Sequence, residues 1–555
     1  MSVRIRFLPE DRSTVSDGPV DLFLAAAQCD IWTEQPCGAR LACGKCRVRV
    51  VHGVARVTTA DERLLTAAER SDGWRLGCQL TLETDTTLLI PPQSRSTAAK
   101  SFGDAALFAD GIEPTFTAAA SSAGAGAEDG TPLYGVAVDI GSTSLAAALV
   151  NLRTGAVHGT TSRVNPQVRY GADVIARIHH AQEHADGNGQ LHACVVQAIG
   201  SMIADLTVPG PVDASQVIAV ACAGNATMTH AAVGADITPL GQAPYCGSFT
   251  QEVRQSARSF GWPVSADATA LFLPMVGHHI GGDTVGAMLA CGLDRAEGWQ
   301  LLIDLGTNTE VVLGSTRGLF ATSTAAGPAF EGANIEHGMR AAPGAIDRVR
   351  VLANGRLVVG TVANQPARGI CGSGLIDAVA ELHRAGVIAD SGYLRSRAEC
   401  EAASVHTALL GRIIEEPAAP GAQRRVRLDR DVTLSAQDVR QLQLVKGSIA
   451  AGIALVLAHA GVRADAIDAI HIAGAFGSFV RKESVQAIGL VPAIDPERVH
   501  FVGNAAGVGT RMVLVDARLR ERARRIAEQC AYLELAGHPD YQDAFVAAIP
   551  LGERP

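Results

Sequence analysis

Four cysteines in the first 92 residues constrain this chain more than any other feature. Cys37, Cys43 and Cys46 fall in one short run, CGARLACGKC, and Cys78 follows after 31 intervening residues. Iron is soft enough to favour thiolate, and a [2Fe–2S] cluster takes four of them. Gly38, Gly44 and Gly77 stand beside these cysteines. Without a Cβ, the backbone there can turn its N–H groups toward cluster sulfurs. Zinc is the competing ligand, but its cysteines usually come as two close pairs, and here the split is three and one. Cys29, ahead of the loop, reads as a buried thiol.

Around this cluster, residues 1–92 alternate apolar and polar in short strands at 3–7, 47–51 and 87–90. The C-x5-C-x2-C spacing resembles that of vertebrate-type and bacterial hydroxylase-type ferredoxins, which implies an α+β β-grasp domain. Residues 93–131 are rich in Ala, Ser, Gly and Asp and read as a flexible linker. From 132 onward apolar strands alternate with helical patterns, as in α/β domains. Two units are expected there, 132–298 and 299–555. The clearest helix spans about 437–459, where Leu442, Val445, Ile449, Ile453 and Val456 recur at helical spacing and Ser435 caps the start.

The whole-chain numbers exclude some functions. A net charge of −9 argues against nucleic acid as partner. No run approaches the roughly 18 apolar residues of a membrane span. The N-terminus turns charged before any signal-peptide core forms, so a cytoplasmic protein is expected.

Three glycine-rich segments carry the second chemistry. Residues 136–150 (VAVDIGSTSLAAALV) and 301–314 (LLIDLGTNTEVVLG) share one pattern: apolar strand, Asp, apolar residue, Gly, hydroxyl residue, second strand. Each reads as a β-hairpin with its turn at a phosphate. Asp139 and Asp304 would hold Mg²⁺, directly or through water. The turn N–H groups and side chains of Gly141, Ser142 and Thr143, and of Gly306, Thr307 and Asn308, would cradle phosphate oxygens. The third segment, residues 470–484, holds the turn Gly474, Ala475, Phe476 and Gly477. A single D-x-G-[ST] is weak, but two copies 165 residues apart followed by such a turn form an ordered set. That order resembles the phosphate and adenosine motifs of the acetate and sugar kinase/Hsp70/actin superfamily, which implies a two-lobed ATPase core with the third segment against adenosine. No Walker A loop and no GxGxxG after a strand is present.

A cluster domain ahead of such an ATPase resembles the reductive activators of corrinoid (cobalamin) proteins. Segments 165–178, 222–230, 303–310, 325–346, 369–377, 473–477 and 503–510 carry the resemblance over nearly the whole chain. It implies an ATP-dependent enzyme that takes an electron from an external low-potential donor. The electron passes through the [2Fe–2S] cluster to Co(II) of a corrinoid protein in a methyltransferase system. Glu331 would orient water on the γ-phosphate or serve as a structural turn residue.

Two departures stand out. Thr309 occupies a position where relatives more often carry glycine, and is expected to tighten the turn. His278 and His279 stand where small or apolar residues are expected, and read as a solvated turn rather than a metal pair. A small-molecule kinase of the same superfamily with a redox-sensing ferredoxin domain is the alternative reading. Phosphate transfer to a panel of small acceptors would distinguish it. A third is a binding module in which ATP only sets a conformation.

Overall fold

The computed structural model describes residues 2–9, 11–27, 29, 31, 44, 46–91, 133–207, 212–415, 424–474 and 480–552. Cys37, Cys43, Ala475, Phe476, Gly477 and the expected linker at 93–131 lie outside the described residues.

The N-terminal sheet is mixed. Its strands are β1 (Val3–Leu8), β2 (Arg12–Ser16), β3 (Arg47–His52), β4 (Trp74–Leu76) and β5 (Thr86–Leu89), in the order β2-β1-β5-β3-β4. β1 and β5 run parallel and the outer pairs antiparallel. Val3, Ile5 and Phe7 are buried while Arg4 and Arg6 point outward, so the period-two pattern sets the core face. The short helix Thr59–Leu64 is anchored by a capping box between Thr58 and Asp61. Asp61 also accepts the Leu76 N–H at 2.7 Å, tying the helix to β4. This is the expected α+β ferredoxin-like unit.

Two six-stranded sheets follow; five strands of each repeat one topology, and the sixth is added at opposite edges. The first contains β6 (Tyr134–Ile140), β7 (Ser144–Asn151), β8 (Val157–Val164), β9 (Val217–Gly224), β10 (Val253–Ser256) and β11 (Thr269–Phe272), in the order β8-β7-β6-β9-β11-β10. The second contains β12 (Trp299–Asp304), β13 (Thr309–Ser315), β14 (Gly318–Thr324), β15 (Ile467–Ala473), β16 (Val499–Gly503) and β17 (Cys530–Tyr532), in the order β16-β15-β12-β13-β14-β17. In each, a hairpin (β6–β7, β12–β13) extends to a third antiparallel strand, and the hairpin's first strand pairs in parallel on its other side. Every residue of β6 is buried, as a strand covered on both faces requires.

The principal helices are α1 (Val174–Glu183), α2 (Gly187–Thr207), α3 (Ala226–Val233), α4 (Gly282–Cys291), α5 (Gly372–Arg384), α6 (Ala436–Ala460) and α7 (Ala505–Val515). The helix expected near 437–459 is α6, capped by Ser435 in a box with Asp438 and stopped by Gly461 in the left-handed conformation. It is long and apolar enough to cross a membrane, yet 78% of its most apolar stretch is buried within the fold.

α4 and α7 lie between the two sheets. Their Val285, Met288, Val508 and Met512 pack with Ala137, Val150 and Ala221 of one sheet and Leu302, Val312 and Ala321 of the other. The helices meet at glycines. A Cβ on Gly509 would stand 1.9 Å from the Gly286 carbonyl oxygen, and one on Gly286 would stand 3.0 Å from the Ala506 carbonyl oxygen. Gly509→Ala must therefore push the helices, and with them the lobes, apart. Overpacking of this kind costs about 1–3 kcal/mol or more. Urea denaturation is expected to show a loss of at least ~2 kcal/mol at this position, while Gly461→Ala, where a Cβ meets nothing within 4 Å, is expected to cost only about 1 kcal/mol through its positive φ.

Candidate functional site

The turns of the two hairpins line a single cleft of about 520 Å³ between the lobes. Gly141, Ser142 and Thr143 border it from the first lobe, and Asp304, Gly306, Thr307, Asn308, Glu331 and Gly474 from the second. Residues that the sequence placed 165 positions apart are thus brought to one space.

The first turn is held from behind. Its Gly141 N–H donates to the Ser144 carbonyl at 3.1 Å, closing the hairpin. The Gly141 carbonyl accepts from Asn165 Nδ2 at 2.8 Å, the Thr143 carbonyl from the Asn165 N–H at 2.9 Å, and the Ser142 carbonyl from Arg177. Asn165 and Arg177 are fully buried. All three carbonyls are therefore engaged by buried groups beneath the turn, which leaves the cleft side to hydroxyls and N–H donors. Asp139, one turn of strand earlier, is also fully buried and does not border the cleft. Its Oδ2 accepts from Asn504 Nδ2 at 2.9 Å. Asn504 caps α7 by accepting the Gly507 N–H at 2.8 Å, so one amide ties the first-lobe strand to the interlobe helix.

The second turn is pinned by neutral groups. Thr309, fully buried, donates its hydroxyl to the Gly306 carbonyl at 3.3 Å. The Thr307 carbonyl accepts the Gly327 N–H at 2.9 Å, and the Thr307 hydroxyl donates to Glu331 at 2.7 Å. Glu331 thus stands beside the phosphate turn. Gly474 has φ +101°, and a Cβ there would stand 2.4 Å from the Leu305 carbonyl, so only glycine lets the third segment close on the second turn.

Beyond the turns, carboxylates gather. Asp283, at the start of α4, and Glu310, on β13, border the cleft with Asp304. Burial raises the Glu310 carboxyl well above the usual carboxylate range, and the charges of Asp283 and Asp304 raise it further. Ser323 donates to it at 3.2 Å. Carboxylates are the hard oxygen donors a divalent cation takes, although among the described residues no group of three or more His, Cys, Asp or Glu is arranged to hold a metal ion as it stands. Sequence reasoning noted Asp283 only as a neighbour of the two histidines and Glu310 only as part of the second loop, and gave neither a role. The GGDT start of α4 was the available signal for the first, and the TNTE end of the turn for the second.

His278 and His279 sit in a bend rather than a strand, so strand alternation does not separate them, and both border the cleft. His278 Nδ1 accepts the Gly247 N–H at 3.0 Å. Cys371 is buried at the start of α5, with its thiol against Ser373 and the Ile346 carbonyl.

In the N-terminal unit, Cys46 precedes β3 and Cys78 follows β4, and the two strands pair Arg47 with Leu76. The Gly77 N–H donates to the Cys46 carbonyl at 2.7 Å, bringing the two cysteines together. Gly44 has φ +61°. Cys46 and Cys78, carried by neighbouring backbone near a glycine turn, are soft donors of the kind an iron–sulfur cluster takes. Cys29 is buried.

The contact between Asp139 and Asn504 is open to test. Asn504→Ala leaves a buried carboxylate short of a donor and is expected to cost about 1–3 kcal/mol in denaturant melts. Asn504→Asp preserves the cap but sets like charges together, and is expected to cost at least as much. Wild-type stability of both variants would show that this interlobe bond carries no weight.

Comparison with known proteins follows the same division. The family described as "C-terminal domain of RACo the ASKHA domain" matches residues 298–554, "RACo middle region" matches 134–296, and "2Fe-2S iron-sulfur cluster binding domain" matches 6–83. The chain is 30% identical over 431 residues to the "Corrinoid activation enzyme RamQ" of Eubacterium limosum, covering 76% of this chain and 71% of that protein. It is 24% identical over 421 residues to the "[Co(II) methylated amine-specific corrinoid protein] reductase" of Methanosarcina barkeri, covering 70% of this chain and 71% of that one. Among solved structures, a "Reductive activator for corrinoid,iron-sulfur protein" superposes with a TM-score of 0.68 at 28% identity, covering 99% of this chain and 98% of that one. With a ferredoxin-like unit ahead of two lobes of repeated topology, and with this extent of identity, the chain belongs to the family of corrinoid activation enzymes.

Proposed function

We propose that this protein is an ATP-dependent reductive activator that returns Co(II) of a corrinoid protein to Co(I) for cobalamin-dependent methyl transfer. The observation that carries the reading is the union in one chain of a ferredoxin-like unit and a two-lobed nucleotide cleft, related over 76% of its length to a corrinoid activation enzyme. The reaction asks for both parts. Reducing Co(II) is strongly uphill, and each ~59 mV of unfavourable potential costs tenfold in a one-electron equilibrium. When bound, the [2Fe–2S] cluster supplies a one-electron carrier and ATP supplies the driving force.

The chain's own residues divide the work. Cys37, Cys43, Cys46 and Cys78 hold the cluster. Gly141, Ser142, Thr143, Gly306, Thr307 and Asn308 bind phosphate oxygens from the two lobes. Gly474, with Ala475, Phe476 and Gly477, packs against adenosine. Asp304 would hold Mg²⁺, with Asp283 and Glu310 on the same cleft, whereas Asp139 lies off the cleft and braces the start of α7 through Asn504 instead of holding the cation. Glu331, hydrogen-bonded to Thr307, would orient water on the γ-phosphate. Residues 93–131 tether the cluster unit so that it can serve an external low-potential donor and the corrinoid protein in turn. The partner must be bound more tightly as Co(II) than in its methylated form, because equal binding would shift nothing.

Two experiments test the assignment. Protein purified without oxygen is expected to contain about two irons and two labile sulfides per chain. Cys78→Ser is expected to lose them and Cys29→Ser to keep them. Stoichiometric zinc without sulfide would sink the cluster. The second experiment follows cobalt optically during reduction of a Co(II) corrinoid protein. Asp304→Ala is expected to abolish ATP hydrolysis with the cluster spectrum intact, since distant sites act independently. Cys78→Ser is expected to keep hydrolysis and stop cobalt reduction. Reduction at the full rate by the cysteine variant would remove the cluster from the electron path.

A further inference from the structure

We infer that Arg177 is a positioning residue for phosphate at the Gly141–Thr143 turn: from beneath the turn its buried guanidinium holds the Ser142 carbonyl back and sets a positive charge behind the anion's seat. The inference rests on the nucleotide reading of the cleft and deepens it by naming a source of charge that does not touch the ligand.

Arg177 lies on α1, whose first residues border the cleft while Arg177 itself is fully buried. Its four hydrogen bonds go to neutral acceptors. Nε donates to the Gly171 carbonyl at 3.0 Å, Nη1 to Gln167 Oε1 at 3.2 Å and to the Met228 sulfur at 2.9 Å, and Nη2 to the Ser142 carbonyl. Burying a guanidinium is costly, and the charge of Asp173, which caps α1 and borders the cleft, offsets that cost only in part. Burial lowers its pKa to about 9, so it stays charged at neutral pH. The bond to Ser142 places that charge one residue's thickness from the cleft, where a phosphate on the turn would lie. The carbonyls of Gly306 and Thr307 in the second turn are instead held by the Thr309 hydroxyl and the Gly327 N–H, both neutral. The asymmetry favours a role beyond closing a hairpin, since neutral groups hold those carbonyls of the second turn. Screening is weak in this interior, so the attraction reaches through the turn.

The test uses the full-length protein and two ligands, Mg-ATP and adenosine, titrated calorimetrically, with adenosine followed by displacement of ATP. Arg177→Gln is expected to weaken ATP binding at least tenfold, about 1.4 kcal/mol, and to leave adenosine within twofold of wild type. KM for ATP in the hydrolysis assay is expected to rise by the same factor with kcat within twofold. Arg177→Lys, which keeps the charge, is expected to recover most of the ATP affinity. Should Arg177→Gln fail to fold, Arg177→Met, which keeps the buried volume, is read in the same way. Unchanged ATP affinity in a neutral variant overturns the inference, and so does an equal loss for ATP and adenosine, which is the mark of a purely structural arginine. Wild-type protein that binds neither ligand would instead overturn the nucleotide reading.

Discussion

The close crossing of α4 and α7 sets the distance on which the rest of the ATPase region depends. Gly286 and Gly509 let one helix backbone rest on the other, with no side chain between them. Both sheets then pack on the same helix pair, and the hairpin turns at their ends come to one cleft. A larger residue at the crossing would separate the lobes before it disturbed either sheet. Small residues at such contacts trade side-chain burial for closeness of backbones, a choice that makes sense where geometry between two bodies matters more than the core of one.

The two phosphate turns meet a shared problem by different means. Any tight turn presents carbonyl oxygens as well as N–H groups, and an anion tolerates only the latter. In the first lobe, Asn165 and Arg177 draw three carbonyls inward. In the second, Thr309 and the Gly327 N–H do so. The carboxylates opposite add the complementary demand. Burial lifts the Glu310 carboxyl above the usual range, and the charges of Asp283 and Asp304 lift it further. The two turns and these carboxylates thereby reach one cleft from both lobes.

Much of this was legible beforehand. The alternation in β1 marked its buried face, the i, i+3, i+4 spacing marked α6, and Ser435 marked where that helix begins. The D-x-G-hydroxyl repeats marked both hairpins. What stayed hidden were the supports. Asn504 and Asp139 stand 365 positions apart, and nothing in either local segment names the other. Arg177 and Asn165 lie in a segment whose resemblance was visible but whose work was not. The two histidines were read as a turn, and they are one, although the turn borders the cleft.

By itself the sequence determined what short-range physics can dictate: which stretches alternate or recur, where a side chain caps a helix, where glycine must bend the chain, and which thiols are soft donors for iron. Those preferences act over a few residues and leave a readable pattern. Only the tertiary structure decided which carbonyls face away from the cleft, which three carboxylates converge, and how closely α4 approaches α7. These depend on pairings between distant segments, settled by the sum of packing across two sheets. No local pattern carries that sum, because each partner's contribution exists only once the other is in place.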